Sequence, residues 1–195
     1  MSATLESLAR ECRQILATND TPAGRAQVAS LVAQALRDEA FIRAQFAADV
    51  PERKIVYEDP ELGFCILAHE YRGAKEGGPH DHGPSWAIYG QAEGETVMTD
   101  FALVEPGSAD RPGKVRKTRT YAMRPGDVHV YNEGAIHAPS RSGPTRLIRV
   151  EGVNMEKVPR SQYEVVGGTF SMLTPSTRIS RVGPVRLGAW MAPSL

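Results

Sequence analysis

The sequence predicts an all-β barrel or sandwich entered through a short helical segment. Three observations carry that expectation. Apolar residues recur at helical spacing only near the start of the 195-residue chain. From Pro51 onward, short β-rich runs replace them. Gly, Pro, Asn and Asp then punctuate those runs at fairly regular spacing with no helical period between them, the pattern of antiparallel strands closing into a sandwich or barrel. The expected division is residues 1–50 as a helical segment packed on the barrel and residues 51–195 as the barrel with a C-terminal tail.

In chain order, Leu5, Leu8, Cys12, Ile15 and Leu16 form the first helical stripe. The segment NDTPAG breaks it and restarts it, with Asp20 or Thr21 as cap and Pro22 at the first helical position. Val28, Leu31, Val32, Leu36, Phe41, Ile42 and Phe46 continue the stripe, giving two or three short helices. The strand candidates are KIVYE, GFCILAHEY, SWAIYG, ETVMTDFALVE, KVRKTRTYAM, DVHVYN and TRLIRVEGV. The stretch SMLTPSTRISRVGPVRLGAWMAPSL reads as a last strand and a tail lying across the barrel.

Composition narrows the function classes. The formal net charge is zero, and no basic stripe or polybasic tail points to nucleic acid or a membrane surface. No apolar run approaches the roughly 18 residues that span a bilayer. The start, MSATLESLARECRQIL, lacks a basic region before an apolar stretch, so the expected compartment is the cytoplasm. Cys12 and Cys65 lie far apart and make no disulfide framework; they read as buried structural thiols.

The chemistry lies in the histidines, of which there are five. In PHDHGPSWAIYG, His80 and His82 stand one residue apart, and in an extended chain such residues face one side about 7 Å apart at the backbone. Both imidazoles then reach one cation at about 2 Å. Two ligands hold a metal weakly, so a third is needed from another strand. His69, His129 and His137 are candidates, and by pattern alone His129 and His137 are nearly equal.

Two motifs add to this reading. The paired histidines and Gly94 fit the first cupin motif, and Gly126, Gly134 and His137 fit the second in register. Asn132 replaces that motif's proline and Arg141 its final asparagine. The chain thus resembles the cupins, and the resemblance implies a double-stranded β-helix (jelly-roll) barrel with His137 as the third ligand. The family's usual glutamate ligand would fall at Trp86 or Ala87, which bind no metal. A three-histidine site is similar to that of the thiol dioxygenase branch, which includes the cysteine and 3-mercaptopropionate dioxygenases. That likeness implies Fe(II), with Zn, Ni or Mn as other occupants. It also implies a small anionic substrate, a thiol carboxylate oxidised with O2 to a sulfinate, and a homodimer.

Three neutral ligands leave the metal's charge uncompensated and about three coordination positions open, which suits an anionic thiolate beside O2. The branch's Ser-x-His-x-Tyr stretch is absent; Leu147, Ile148, Arg149, Val150 and Glu151 stand in its place. Its cysteine-linked tyrosine is excluded by Ala87, which sets this chain apart from an ordinary cysteine dioxygenase. An ungapped count puts Lys54, beside Arg53, at the branch's substrate-carboxylate arginine. Arg149 is the stronger candidate, since a guanidinium grips a carboxylate with two parallel hydrogen bonds. Glu151 would hold it between turnovers. Tyr89 and Gln91 share parity with Ala87 and are expected to line the cavity, Tyr89 as a donor to substrate or O2. Trp86 should face the other way, His69 should be structural, and Asp81 should point outward into a turn. Two competing readings are a redox-neutral metal-dependent isomerase or lyase and a non-catalytic small-molecule-binding cupin.

Overall fold

A computed structural model of the chain describes residues 3–47, 51–108, 110–158, 161 and 163–167. The expected last strand and tail fall in residues 171–195, outside the described residues. The helical segment comprises α1 (Leu5–Leu16), α2 (Pro22–Ala35) and α3 (Glu39–Gln45). Thr4 caps α1 by accepting from the Ser7 amide, while Ser7 Oγ accepts from the Thr4 amide. Pro22 opens α2 as expected, but the Thr21 hydroxyl at its cap donates to Asn19 rather than serving the helix. Asp38 caps α3 through the amides of Ala40 and Phe41.

The strands are β1 (Lys54–Glu58), β2 (Cys65–Tyr71), β3 (Lys75–Glu76), β4 (Ala87–Glu93), β5 (Thr96–Glu105), β6 (Gly113–Met123), β7 (Val128–Tyr131), β8 (Ile136–Arg141), β9 (Thr145–Glu151) and β10 (Tyr163–Val165). They form two five-stranded sheets, ordered β1-β2-β9-β4-β7 and β10-β6-β5-β8-β3. Among the described residues every strand pair is antiparallel except β10 with β6. The result is the expected jelly-roll barrel behind a helical N-terminus. Strands β3, β8 and β10 are additions to the sequence reading. Pro139 concealed β8, because a proline inside a run argues against a central strand.

The central strands of the first sheet, β2, β9 and β4, are buried on both faces, so they read as nearly continuous apolar runs. On one face Ile66, Ala68, Ile88, Ile148 and Val150 join Val28, Val32, Leu36 and Phe41 of the helices in one core. Val128 and Val130 pack against it from β7. On the other face Ala87, Tyr89, Tyr131 and Leu147 meet Met98 and Met123 of the second sheet inside the barrel. A glycine permits the helices to lie this close. A Cβ on Gly90 would stand 2.7 Å from Val32 Cγ1 and 2.9 Å from Leu36 Cδ1. Two cation sites tie the helices to the barrel. Arg13 donates to Asp59 at 2.6 Å, and Arg25 donates to Glu133 at 2.6 Å while lying over Trp86. Trp86 therefore faces the helices, as its parity predicts.

Both cysteines are buried free thiols. Burial pushes Cys12 up to about 12 and Cys65 up to about 11, so neither is a reactive thiolate at neutral pH.

Candidate metal centre

His80, His82 and His137 come together at one place in the barrel. Their ligand nitrogens all lie within 4.8 Å of one another. Ring centroids are 4.6 Å apart for His80 and His137, 4.9 Å for His82 and His137, and 5.7 Å for His80 and His82. The paired histidines do not share a face through strand periodicity, which corrects the extended geometry assumed from sequence. His80 forms an isolated bridge to His137, each amide donating to the other's carbonyl at 3.0 Å. His82 lies past it at a turn. Gly83 adopts φ +56°, its amide donates to Asp81 Oδ1 at 3.0 Å, and Ser85 N–H closes on the His82 carbonyl. A left-handed backbone here is why a glycine follows the second histidine. Asp81 is buried rather than outward, and Oδ2 accepts from the Tyr163 hydroxyl at 2.6 Å. Burial would raise that carboxyl, but the Tyr163 and Gly83 hydrogen bonds outweigh it and hold its pKa below the ordinary value.

The tautomers follow from the hydrogen bonds. His80 Nδ1 faces the Gly78 carbonyl at 2.9 Å, and His137 Nδ1 faces the Ala135 carbonyl at 3.3 Å. Each Nδ1–H donates there, which leaves Nε2 as the basic nitrogen, the arrangement typical of a metal-ligating histidine. The Nε2 atoms of His82 and His137 converge on the Tyr89 hydroxyl at 3.2 and 3.3 Å. The Tyr131 ring stacks on His137 at 3.9 Å, and its hydroxyl lies 2.8 Å from that of Tyr121. Burial drives the Tyr131 pKa far upward, so that wall of the site is a neutral phenol. Among the described residues the cluster contains only histidines. Glu93 and Glu95 pair instead with Arg146 and Arg124. The donor set, three neutral imidazoles with two Nε2 positions oriented from behind, fits a divalent transition metal.

A second constellation adjoins the first. Arg149 Nη2 donates to the Tyr89 hydroxyl at 2.7 Å and lies 2.9 Å from Glu151 Oε1. Glu151 is fully buried, and its other oxygen accepts from Arg53 at 3.0 Å. Burial works against the Arg149 charge, but Tyr89 and Glu151 outweigh it and raise its pKa, so it remains a cation. His69 Nε2 lies 3.5 Å from Arg149 Nη1, and its Nδ1 is 3.3 Å from the Tyr71 hydroxyl. Burial first, then the Arg149 charge, hold His69 well below the ordinary histidine value, so it is neutral.

Tyr89, Arg149 and Glu151 are thus brought to the histidine cluster or beside it. Gln91 is fully buried on the same face of β4, two positions beyond Tyr89, and donates to the Glu93 carbonyl at 2.8 Å. Lys54 is not brought to the site. It is exposed and stands opposite Ala68, whose side chain packs toward the helices, so the barrel lies behind it. Arg53, one residue earlier, takes the inward position. His129 is partly buried and stacks on Tyr121 at 4.7 Å, apart from the triad. Sequence reasoning missed Tyr71, Tyr131 and Arg141 as interior residues. Period-two alternation from His69, His129 and His137 would have found all three.

No protein-family model matches this chain, and no curated protein matches it. Solved structures do resemble it. A cupin superfamily protein from Desulfitobacterium hafniense is 11% identical with a TM-score of 0.41, over 56% of this chain and 87% of that one. A cupin-2 domain protein from Shewanella frigidimarina is 13% identical with a TM-score of 0.40, over 56% and 89%. A double-stranded β-helix protein from Klebsiella pneumoniae is 16% identical with a TM-score of 0.41, over 60% and 81%. The chain is similar to these proteins in fold.

Proposed function

We propose that this chain is a metal-dependent oxidoreductase, a non-haem Fe(II) dioxygenase that adds O2 to a small thiol carboxylate to give a sulfinate. One observation carries the reading. Three imidazoles without a carboxylate converge beside a buried arginine, joined to it through the Tyr89 hydroxyl. His80, His82 and His137 would hold the metal. A ferrous ion there supplies the redox chemistry by which both atoms of O2 join a thiolate sulfur, a balanced addition that consumes no external reductant.

The remaining work belongs to the chain. Arg149 offers a guanidinium fork to the substrate carboxylate, which fixes the reacting end toward the histidines. Glu151 and Arg53 keep that fork in place from behind. Tyr89 holds a hydroxyl proton where the histidine nitrogens and Arg149 meet, so it can donate to developing negative charge on substrate. Tyr131 and Leu147 wall the interior against bulk water.

The test is anaerobic loading of the purified chain with Fe(II), followed by O2 uptake across a panel of thiol carboxylates and mass detection of the sulfinate. Stoichiometric uptake with sulfinate formation is expected. Iron bound with no O2 consumption on any thiol overturns the reading. It would favour a redox-neutral isomerase or lyase, for which the Tyr89 hydroxyl held against Arg149 is also a suitable proton carrier.

A further inference from the structure

The barrel interior holds a second arginine that the site described above does not use. Arg141 lies on β8 two alternations beyond His137, on the same face of the strand. It is 5% exposed, and its guanidinium carbon sits 4.0 Å from the centre of the Tyr71 ring. Tyr71 in turn packs against the interior cluster and hydrogen-bonds His69, the neighbour of Arg149.

Each other cation named on this side has an acid. Arg149 and Arg53 share Glu151, Arg53 also meets Glu156, and Lys75 pairs with Glu52. Among the described residues no carboxylate pairs with Arg141, and its buried Nε has no acceptor. Burial first, with the Arg149 charge adding to it, pulls the Arg141 pKa below the ordinary arginine value. A buried unpaired guanidinium is costly, and an aromatic face offsets only part of that cost. The fold therefore keeps a positive charge at this position with its planar donors unclaimed, beside a first guanidinium already aimed at the metal centre.

We propose that Arg141 is a substrate-binding residue that takes a second acidic group, so that the ligand of this barrel is a small dianion spanning Arg149 and Arg141. This rests on the site reading above and sharpens it. The thiol carboxylate would carry a further carboxylate, and a monoacid would leave Arg141 unpaired.

The experiment measures binding, independent of iron and O2. The metal-free full-length chain is titrated calorimetrically with succinate and with butyrate, which match in carbon number and differ in the second carboxylate. Succinate is expected to bind about tenfold tighter, the worth of one charge-assisted contact. In Arg141→Met, which keeps the packing on Tyr71, the two ligands bind alike; in Arg141→Lys part of the preference returns. A wild-type chain with no preference overturns the proposal, as does a preference unchanged in Arg141→Met. If the succinate preference holds while no thiol supports O2 uptake, the dioxygenase reading fails and the Arg141 assignment stands. If thiol monocarboxylates and dicarboxylates are oxidised with equal kcat/KM, the Arg141 assignment fails and the dioxygenase reading stands.

Discussion

Tyr89 is the residue on which two constellations meet, because one hydroxyl faces two histidine nitrogens and one arginine. On the proposed function, its removal should separate metal binding from turnover. Tyr89→Phe is expected to keep full metal occupancy by elemental analysis and to lower kcat about tenfold to hundredfold. By contrast, His82→Ala removes one of the three proposed ligands and should abolish metal retention through a desalting step. The placement of single residues was legible in sequence where alternation was regular, as for Tyr89, Arg149 and Glu151 on β4 and β9. They were illegible where the backbone leaves the strand. His80 and His82 meet through a bridge and a left-handed glycine, which no period-two rule describes. Lys54 was misplaced for a related reason: an ungapped count fixes neither the register nor the face of β1.

Among the elements, the first sheet depends on α1 and α2 as much as the helices depend on it. Its central strands β2, β9 and β4 are covered on both faces, and Ile88, Ile148 and Val150 would be exposed without the helices. A chain beginning at residue 51 should therefore aggregate, observable as loss of the monodisperse peak in size exclusion. Ile148→Ala, at a fully buried position under the helices, should cost about 2–5 kcal/mol in urea unfolding while leaving metal stoichiometry unchanged. The same double burial explains the sequence signal. CILA, AIY and LIRV lack clean alternation because both faces are covered, so the strands were visible while their partners were not. The second sheet shows the opposite grammar. In β6 the polar run Arg116–Thr120 is exposed at every position, on both faces of the strand, and its β character came from turns and β-branched residues instead.

Over the whole molecule, stability should depend on pH through two groups with opposite burdens. His69 is neutral when folded, with a pKa well below the ordinary 6.5. Below that pH the unfolded chain takes up a proton that the folded chain refuses, so stability falls as the solution is acidified. Asp59 adds a lower step. Burial raises it, but amides of Leu62 and Glu61, the Arg13 guanidinium and the Tyr57 hydroxyl together hold it at about 2 against an ordinary 3.8. Its contribution is complete above the ordinary value and is lost as pH falls toward 2. Asp59→Asn should lower Tm at neutral pH, with the gap to wild type closing through that lower window; His69→Gln should flatten the upper one. Thermal melts across pH 2–8 check both. The composition, with equal numbers of acids and bases, gives no hint of this, since it depends on which charges folding hides.

The reciprocal amide pair between His80 and His137 has a consequence for how an ion would be captured. Two donors from distant parts of the chain are fastened backbone to backbone before anything arrives. Chelation then has little chain entropy left to remove at those two points, and only the His82 turn remains to tighten. Deuterium uptake at amides 80 and 137 should already be slow in apoprotein and change little on loading, whereas amides 83–85 should show the larger gain in protection.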